Sequence, residues 1–395
     1  MFDFSRSGKE DKTNEPNTPF PAFISQPAGD DIAFSDFLGS EACASCHPKE
    51  FKVWEESTHG RAGGDPEPSR VIGKFDGQTL AFRDATVKPF RKNGAYVFQF
   101  QPENLPPAEY RVDALVGGGH MLGGGSQTYF SEFPDGTLRF LPFDYIKGEQ
   151  VWFGETKENK GWIPITRSLS MHDLSEFPPT RVLGAHAYLD NCQECHGSQI
   201  QVSFNKEEKK YDTKYVSLSI NCESCHGPGK KHVELMTSAR PDTLQDIGMR
   251  ALATLSKNES LDVCFQCHAL KDGLQQGFLN GKKLDEYYST KLPMLGTNPY
   301  HPDGRIKAFG YQQNHLASAC YIDGSMTCVD CHDPHSQGYR DIFGKVLANP
   351  FDDGQCTDCH PSKGLNPTAH SKHAVDSPGN NCVNCHMPYL QHQAM

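Results

Sequence analysis

Seven copies of one pentapeptide, Cys-x-x-Cys-His, run through this 395-residue chain: Cys43–His47, Cys192–His196, Cys222–His226, Cys264–His268, Cys328–His332, Cys356–His360 and Cys382–His386. Two thiols three positions apart can add to the two vinyl groups of one haem, and the adjoining imidazole then lies beneath the iron. The attachment residues are Cys43 and Cys46, Cys192 and Cys195, Cys222 and Cys225, Cys264 and Cys267, Cys328 and Cys331, Cys356 and Cys359, and Cys382 and Cys385. The proximal ligands are His47, His196, His226, His268, His332, His360 and His386. A shuffled chain of this composition would hold about 0.03 such motifs. The expected cofactor is therefore seven haem c. Structural zinc or a disulfide framework would use the thiol pairs but not the histidine that follows each one.

Each iron also needs a ligand on its other side. Eighteen histidines less the seven proximal ones leave eleven for seven distal positions, so every haem can be bis-histidine. His59 lies one short helix beyond His47. His120 sits among six glycines in 117–125, where the backbone can approach a flat ligand. His232 and His335 follow the third and fifth motifs across Gly-Pro and Asp-Pro turns, which direct the chain out of the haem plane. His186 precedes the second motif, and His315 and His373 lie upstream of the fifth and seventh. His172, His301 and His370 are held in reserve. The fifteenth cysteine, Cys320, is expected to be a buried thiol acting as a small apolar residue.

The elements that carry these residues are unusual for a chain of this length. Only 36 % of residues are hydrophobic and the mean hydropathy is −0.60, so porphyrin plates are expected to supply core and the haem-free chain to be unfolded. Residues 1–38 read as a polar arm or linker and 39–66 as the first haem segment, with Phe51 and Trp54 on one face of a helix over Pro48–Ser57. Residues 67–165 contain no cysteine and alternate short aromatic and β-branched runs with turn signals at Asn93-Gly94 and Asp135-Gly136, which predicts an antiparallel β unit. Residues 166–395 are expected to form a six-haem domain, with about 32 residues per haem between Cys192 and His386. That density makes the haems neighbours.

The order of these pieces, from ACASCH and W-x-x-S-T-H through CESCHGPG-x-x-H and CVDCHDPHS to CVNCHMP, resembles a heptahaem group of bacterial multihaem cytochromes c. That group is often fused to tetratricopeptide repeats. The chain is similar, more distantly, to the nitrogen-cycle cytochromes that include hydroxylamine oxidoreductase and its tetrahaem acceptor. The resemblance covers roughly Ala42 to Pro388 and implies a multihaem cytochrome c fold, mostly α-helical and irregular around stacked haems, with a small antiparallel β insertion. It also implies the distal roles of His59, His232, His335 and His373. The sequence departs from the wider pattern in carrying no C-x-x-C-K motif, which argues against a lysine-ligated catalytic haem.

Haem attachment of this kind takes place outside the cytoplasm, so a periplasmic or cell-surface location is expected, although Met1–Asp31 shows no basic segment followed by an apolar run. No stretch is long enough for a transmembrane helix. A net charge of −11 argues against nucleic acid and favours basic redox proteins as donor and acceptor, other multihaem cytochromes or copies of this chain among them. The expected function is electron transfer along seven haems. The alternatives are an oxidoreductase with one open haem acting on a small nitrogen or sulfur compound, and a subunit of a cytochrome filament or membrane redox complex.

Overall fold

A computed structural model describes residues 32–104, 106–118, 125–158, 161–183, 193–238, 246–274, 277–291, 300–306 and 310–387. His120, His186, Cys192, His392 and the expected arm as far as residue 31 lie outside the described residues.

Ten strands run through the cysteine-free region: β1 (Gly63–Gly64), β2 (Leu80–Ala81), β3 (Ala85–Lys92), β4 (Ala95–Pro102), β5 (Ala108–Arg111), β6 (Ala114–Val116), β7 (Ser126–Glu132), β8 (Leu138–Ile146), β9 (Val151–Glu155) and β10 (Trp162–Pro164). They form two antiparallel sheets, one in the order β2-β3-β4-β5 and the other β1-β6-β7-β8-β9-β10. The turn chemistry explains the hairpins. Asn93 (φ 51°) and Gly94 (φ 84°) supply the two positive dihedrals that a tight turn between β3 and β4 demands. Alternation places Val87, Phe98 and Phe100 of the small sheet against Tyr129, Leu141, Phe143 and Trp152 of the large one in a single core. The Phe98 ring lies 5.2 Å from Phe143 and 5.4 Å from Trp152. Each such side chain contributes about 1.5–3 kcal/mol by leaving water, so this core needs no porphyrin.

The other face of the large sheet carries Ala114, Val116, Phe130 and Phe140, which pack with Leu183 and Leu218 and, at the edge, Ile200 and Tyr215. Ile200 and Tyr215 belong to a further hairpin, β11 (Ser198–Asn205) and β12 (Lys210–Ser217), paired from Ser198↔Ser217 to Asn205↔Lys210. Its two outer ends join the second and third haem motifs. The sheet is thus the wall on which those motifs are mounted.

Helices are short. The longest among the described residues is Lys257–His268, twelve residues opened by a capping box between Ser256 and Glu259 and burying Leu261 and Phe265. The expectation of a mostly helical chain with a small β insertion is therefore corrected: among the described residues, fourteen strands in four antiparallel sheets stand beside helices that, this one apart, have at most eight residues. The reason is local. Most attachment motifs form a helix of about one turn, and a proline, as at Pro48 and Pro361, or a glycine with positive φ, as at Gly227, redirects the chain at once. Cys320 is likewise corrected, since it is a free, exposed thiol and no part of a core.

Candidate haem-binding sites

The motif histidines end or follow helices, short ones except at His268, and four of them face a second imidazole. His47 lies opposite His232 with ring centres 6.3 Å apart, His226 opposite His335 at 6.2 Å, His268 opposite His59 at 6.1 Å, and His386 opposite His370 at 6.0 Å. Face-to-face ring stacking requires much closer approach. Two metal–nitrogen bonds of about 2.0 Å, with about 1.1 Å from nitrogen to ring centre on each side, require a separation of about 6.2 Å. The residues present therefore fit an iron held between two imidazoles.

Two of the facing imidazoles are hydrogen-bonded to the backbone, and a third lies near a carboxylate. His232 Nδ1 is 2.7 Å from the Ile247 carbonyl. His59 is hydrogen-bonded to the Pro334 backbone. His335 Nδ1 lies 3.7 Å from the Asp333 carboxylate. Such partners fix ring orientation and leave the other nitrogen for a metal. Burial lowers the affinity of His59, His196, His226 and His332 for protons, and burial followed by the neighbouring His59 and His196 brings His268 down to about 4. Neutral imidazoles are the form that binds metal.

The motifs also touch one another. The Cys43 and Cys222 sulfurs are within hydrogen-bonding reach, and the Ser40 hydroxyl accepts from Cys222 N at 3.1 Å. Gln266 Nε2 donates to the Ser224 carbonyl and Asn280 Nδ2 to that of Cys225, both at 3.0 Å. Cys264 meets Cys328, and Cys195 meets Cys267. Cys331 Sγ is 4.0 Å from the Gln355 carbonyl, and Cys382 N donates to Asp353 Oδ1 at 2.8 Å. The contacts trace motifs one, three, four, five, six and seven in sequence, with the second motif beside the fourth. At the start of this path Glu223, 2 % exposed, accepts backbone hydrogen bonds from Leu38, Gly39 and Gly229. Trp54 Nε1 donates to Ile220 O at 2.8 Å and Ile220 N to His59 O at 3.1 Å, which ties the first segment to the third motif.

The remaining candidates are placed differently. His315 has Nε2 3.0 Å from the Met326 carbonyl and Nδ1 3.3 Å from Ser318 Oγ, so both nitrogens are occupied. The His373 ring packs on Gly379. His172 meets Phe177 at the sandwich edge. His301 Nε2 and His196 Nδ1 are buried without a hydrogen-bond partner. His332 lies beside Tyr339, with ring centres 4.9 Å apart. His196, His332 and His360 have no facing imidazole among the described residues. Glu223 was not legible as a functional residue, since nothing in C-E-S-C-H marks the second position as a buried staple.

The family described as cytochrome c554 and c-prime matches residues 42–74 and 170–227, which hold the first three motifs. The dissimilatory sulfite reductase MccA of Wolinella succinogenes is 22 % identical over 90 % of this chain and 51 % of its own length. These matches make the chain similar to multihaem c-type cytochromes. Cytochrome c-552 of Haemophilus influenzae is 27 % identical over 40 % of this chain and 36 % of its own length. The chain thus spans about half, or less, of the length of the curated relatives it matches. In fold it is similar to the outer cell wall cytochrome OcwA, with a TM-score of 0.51 and 17 % identity over 89 % of this chain and 77 % of that one. These similarities support a haem-based electron-transfer or redox role. No helix among the described residues is long and apolar enough to cross a membrane.

Proposed function

We propose that this chain carries seven haem c groups outside the cytoplasm and passes electrons along them, with most irons held between two histidines. The observation that carries the reading is the set of four imidazole pairs at 6.0–6.3 Å, each joining a proximal histidine to a second one. His232, His335, His59 and His370 are the distal ligands in this reading, opposite His47, His226, His268 and His386. Bound haem supplies one-electron exchange between ferric and ferrous iron. The protein orients both imidazoles and brings attachment cysteines of different motifs together, so that electrons have short steps to make. The acidic surface suits basic redox proteins as donor and acceptor.

A second reading, an oxidoreductase acting on a small nitrogen or sulfur compound at one open haem, is favoured by two observations. The sulfite reductase similarity extends over 90 % of the chain. His196, His332 and His360 also lack a facing imidazole among the described residues.

The deciding experiment is the low-temperature electron paramagnetic resonance spectrum of the fully oxidised protein, with haem counted in parallel. Seven low-spin haems support a closed conduit. A high-spin signal gives the second reading its open iron, and nitrite, hydroxylamine and sulfite are then tried on it. In either case His232→Ala should turn one low-spin haem high-spin, and an unchanged spectrum removes His232 from the ligand set.

A further inference from the structure

We propose that Asp333 is a positioning residue that lowers the reduction potential of the haem held between His226 and His335, making that haem a step within the electron path and not a resting place for charge. The inference rests on the ligand reading above for this one pair.

Three distal imidazoles have an acceptor near the ring, and the acceptors differ in charge. For His232 it is the Ile247 carbonyl at 2.7 Å, and for His59 the Pro334 backbone. For His335 it is a carboxylate, with Asp333 Oδ1 3.7 Å from Nδ1. At 3.7 Å the carboxylate lies beyond hydrogen-bonding distance of Nδ1 and acts on the site as a fixed negative charge. A fixed negative charge a few ångströms from the site favours ferric over ferrous iron.

Asp333 cannot swing away easily. Its Oδ1 accepts from His335 N at 3.1 Å, and its Oδ2 accepts from Ser336 Oγ at 2.5 Å. Its backbone closes the same loop at both ends, since Asp333 N donates to Gly338 O at 3.0 Å and Gln337 N to Asp333 O at 2.8 Å. The loop is in turn clasped to the first haem segment, where Thr58 N donates to Gln337 Oε1. The sequence motif C-x-x-C-H-D-P-H thus places a carboxylate two residues before the distal histidine that it serves.

The position on the path gives the effect a consequence. The third motif lies between the first, through Cys43 and Cys222, and the fourth, through Ser224 and Gln266. One electron enters this haem and one leaves it, and no bond breaks. A low potential there means that electrons cross between the first haem and the other five only by an uphill step, so the two ends can hold charge at different levels.

The test is a redox titration of the full haem-loaded protein followed by electron paramagnetic resonance, comparing the parent with Asp333→Asn, Asp333→Glu and His335→Ala. Asp333→Asn should raise the midpoint of one haem, leave the others in place and keep the number of low-spin haems. Asp333→Glu, which restores the charge, should return that midpoint toward the parent value. If Asp333→Asn leaves every midpoint unchanged while His335→Ala produces a high-spin haem, the inference is overturned and the ligand reading stands. If His335→Ala leaves the spin count unchanged, the ligand reading for this pair fails and takes the inference with it. Loss of a low-spin haem in both Asp333 variants overturns the inference as well, because Asp333 would then be a structural brace only.

Discussion

His370 faces His386 with ring centres 6.0 Å apart and planes 13° from parallel, while His373, three residues on, packs its ring against Gly379. Helix Pro367–Ser371 carries His370, and Lys372 at φ 66° turns the chain off that helix before His373 is reached. His370→Ala should therefore convert one low-spin haem to high-spin, with the haem count unchanged because the cysteines hold the macrocycle. His373→Ala should leave the spin count as it is. The paramagnetic resonance spectra of the two variants, taken side by side, decide which histidine is the ligand.

Glu223 lies inside its own attachment motif yet serves the chain on both sides of it. Its carboxylate accepts from Leu38 N at 2.9 Å, Gly39 N at 2.8 Å and Gly229 N at 2.7 Å. Gly229 opens the helix Lys230–Met236 that carries His232. Removing the carboxylate strands buried donors at about 1–3 kcal/mol apiece where water cannot reach them. Glu223→Ala should lower stability by about 2–4 kcal/mol, and the low-spin signal of the haem between His47 and His232 should broaden. Guanidinium unfolding followed at the Soret band checks the first effect, and an unchanged midpoint would show that water replaces the carboxylate.

The motif spacing was legible because five contiguous residues carry it, and no tertiary contact alters it. The β sandwich was legible in part, since Ala95–Pro102 and Leu138–Ile146 alternate and Asn93-Gly94 admits one kind of turn. The hairpin β11–β12 was not, because its strands include Lys210-Tyr-Asp-Thr-Lys, which shows no apolar face until the large sheet is placed beneath Ile200 and Tyr215. Distal partners were hardest to read. His335 stands three residues after His332 but faces His226, and only the packed loop 333–338 decides that. The expected helical bulk failed for a related reason: motifs of one helical turn report how haem is attached and say nothing about the walls between haems.

The sandwich core of Val87, Phe98, Phe100, Tyr129, Phe143 and Trp152 closes without any attachment motif. The motif region has smaller clusters, such as Leu261, Phe265, Leu284 and Tyr287 around one helix. Protein made without haem attachment should keep the sandwich and lose the rest. Limited proteolysis should leave a resistant fragment containing residues 80–164, and far-ultraviolet circular dichroism should show strand signal with little helix. Complete digestion would mean that the haem region is needed to hold the two sheets together.

Asp144 on β8 accepts a hydrogen bond from the Thr128 hydroxyl, yet burial pushes its carboxyl up to about 7. The Thr128 hydroxyl and Arg181 oppose the rise, and Glu176 and Glu155 add to it. An unfolded aspartate titrates near 3.9. The folded state therefore holds this proton more tightly than the unfolded one does. Its contribution to stability is fully present below pH of about 4 and is lost progressively as the pH rises to about 7. An asparagine at this position would keep the Thr128 partner without the buried charge. Asp144→Asn should then be more stable than the parent at pH 8 by about 1–3 kcal/mol, with the advantage shrinking toward pH 5. Urea unfolding of both proteins across that range measures it. A difference that does not change with pH would show that Asp144 ionises as an ordinary surface carboxylate.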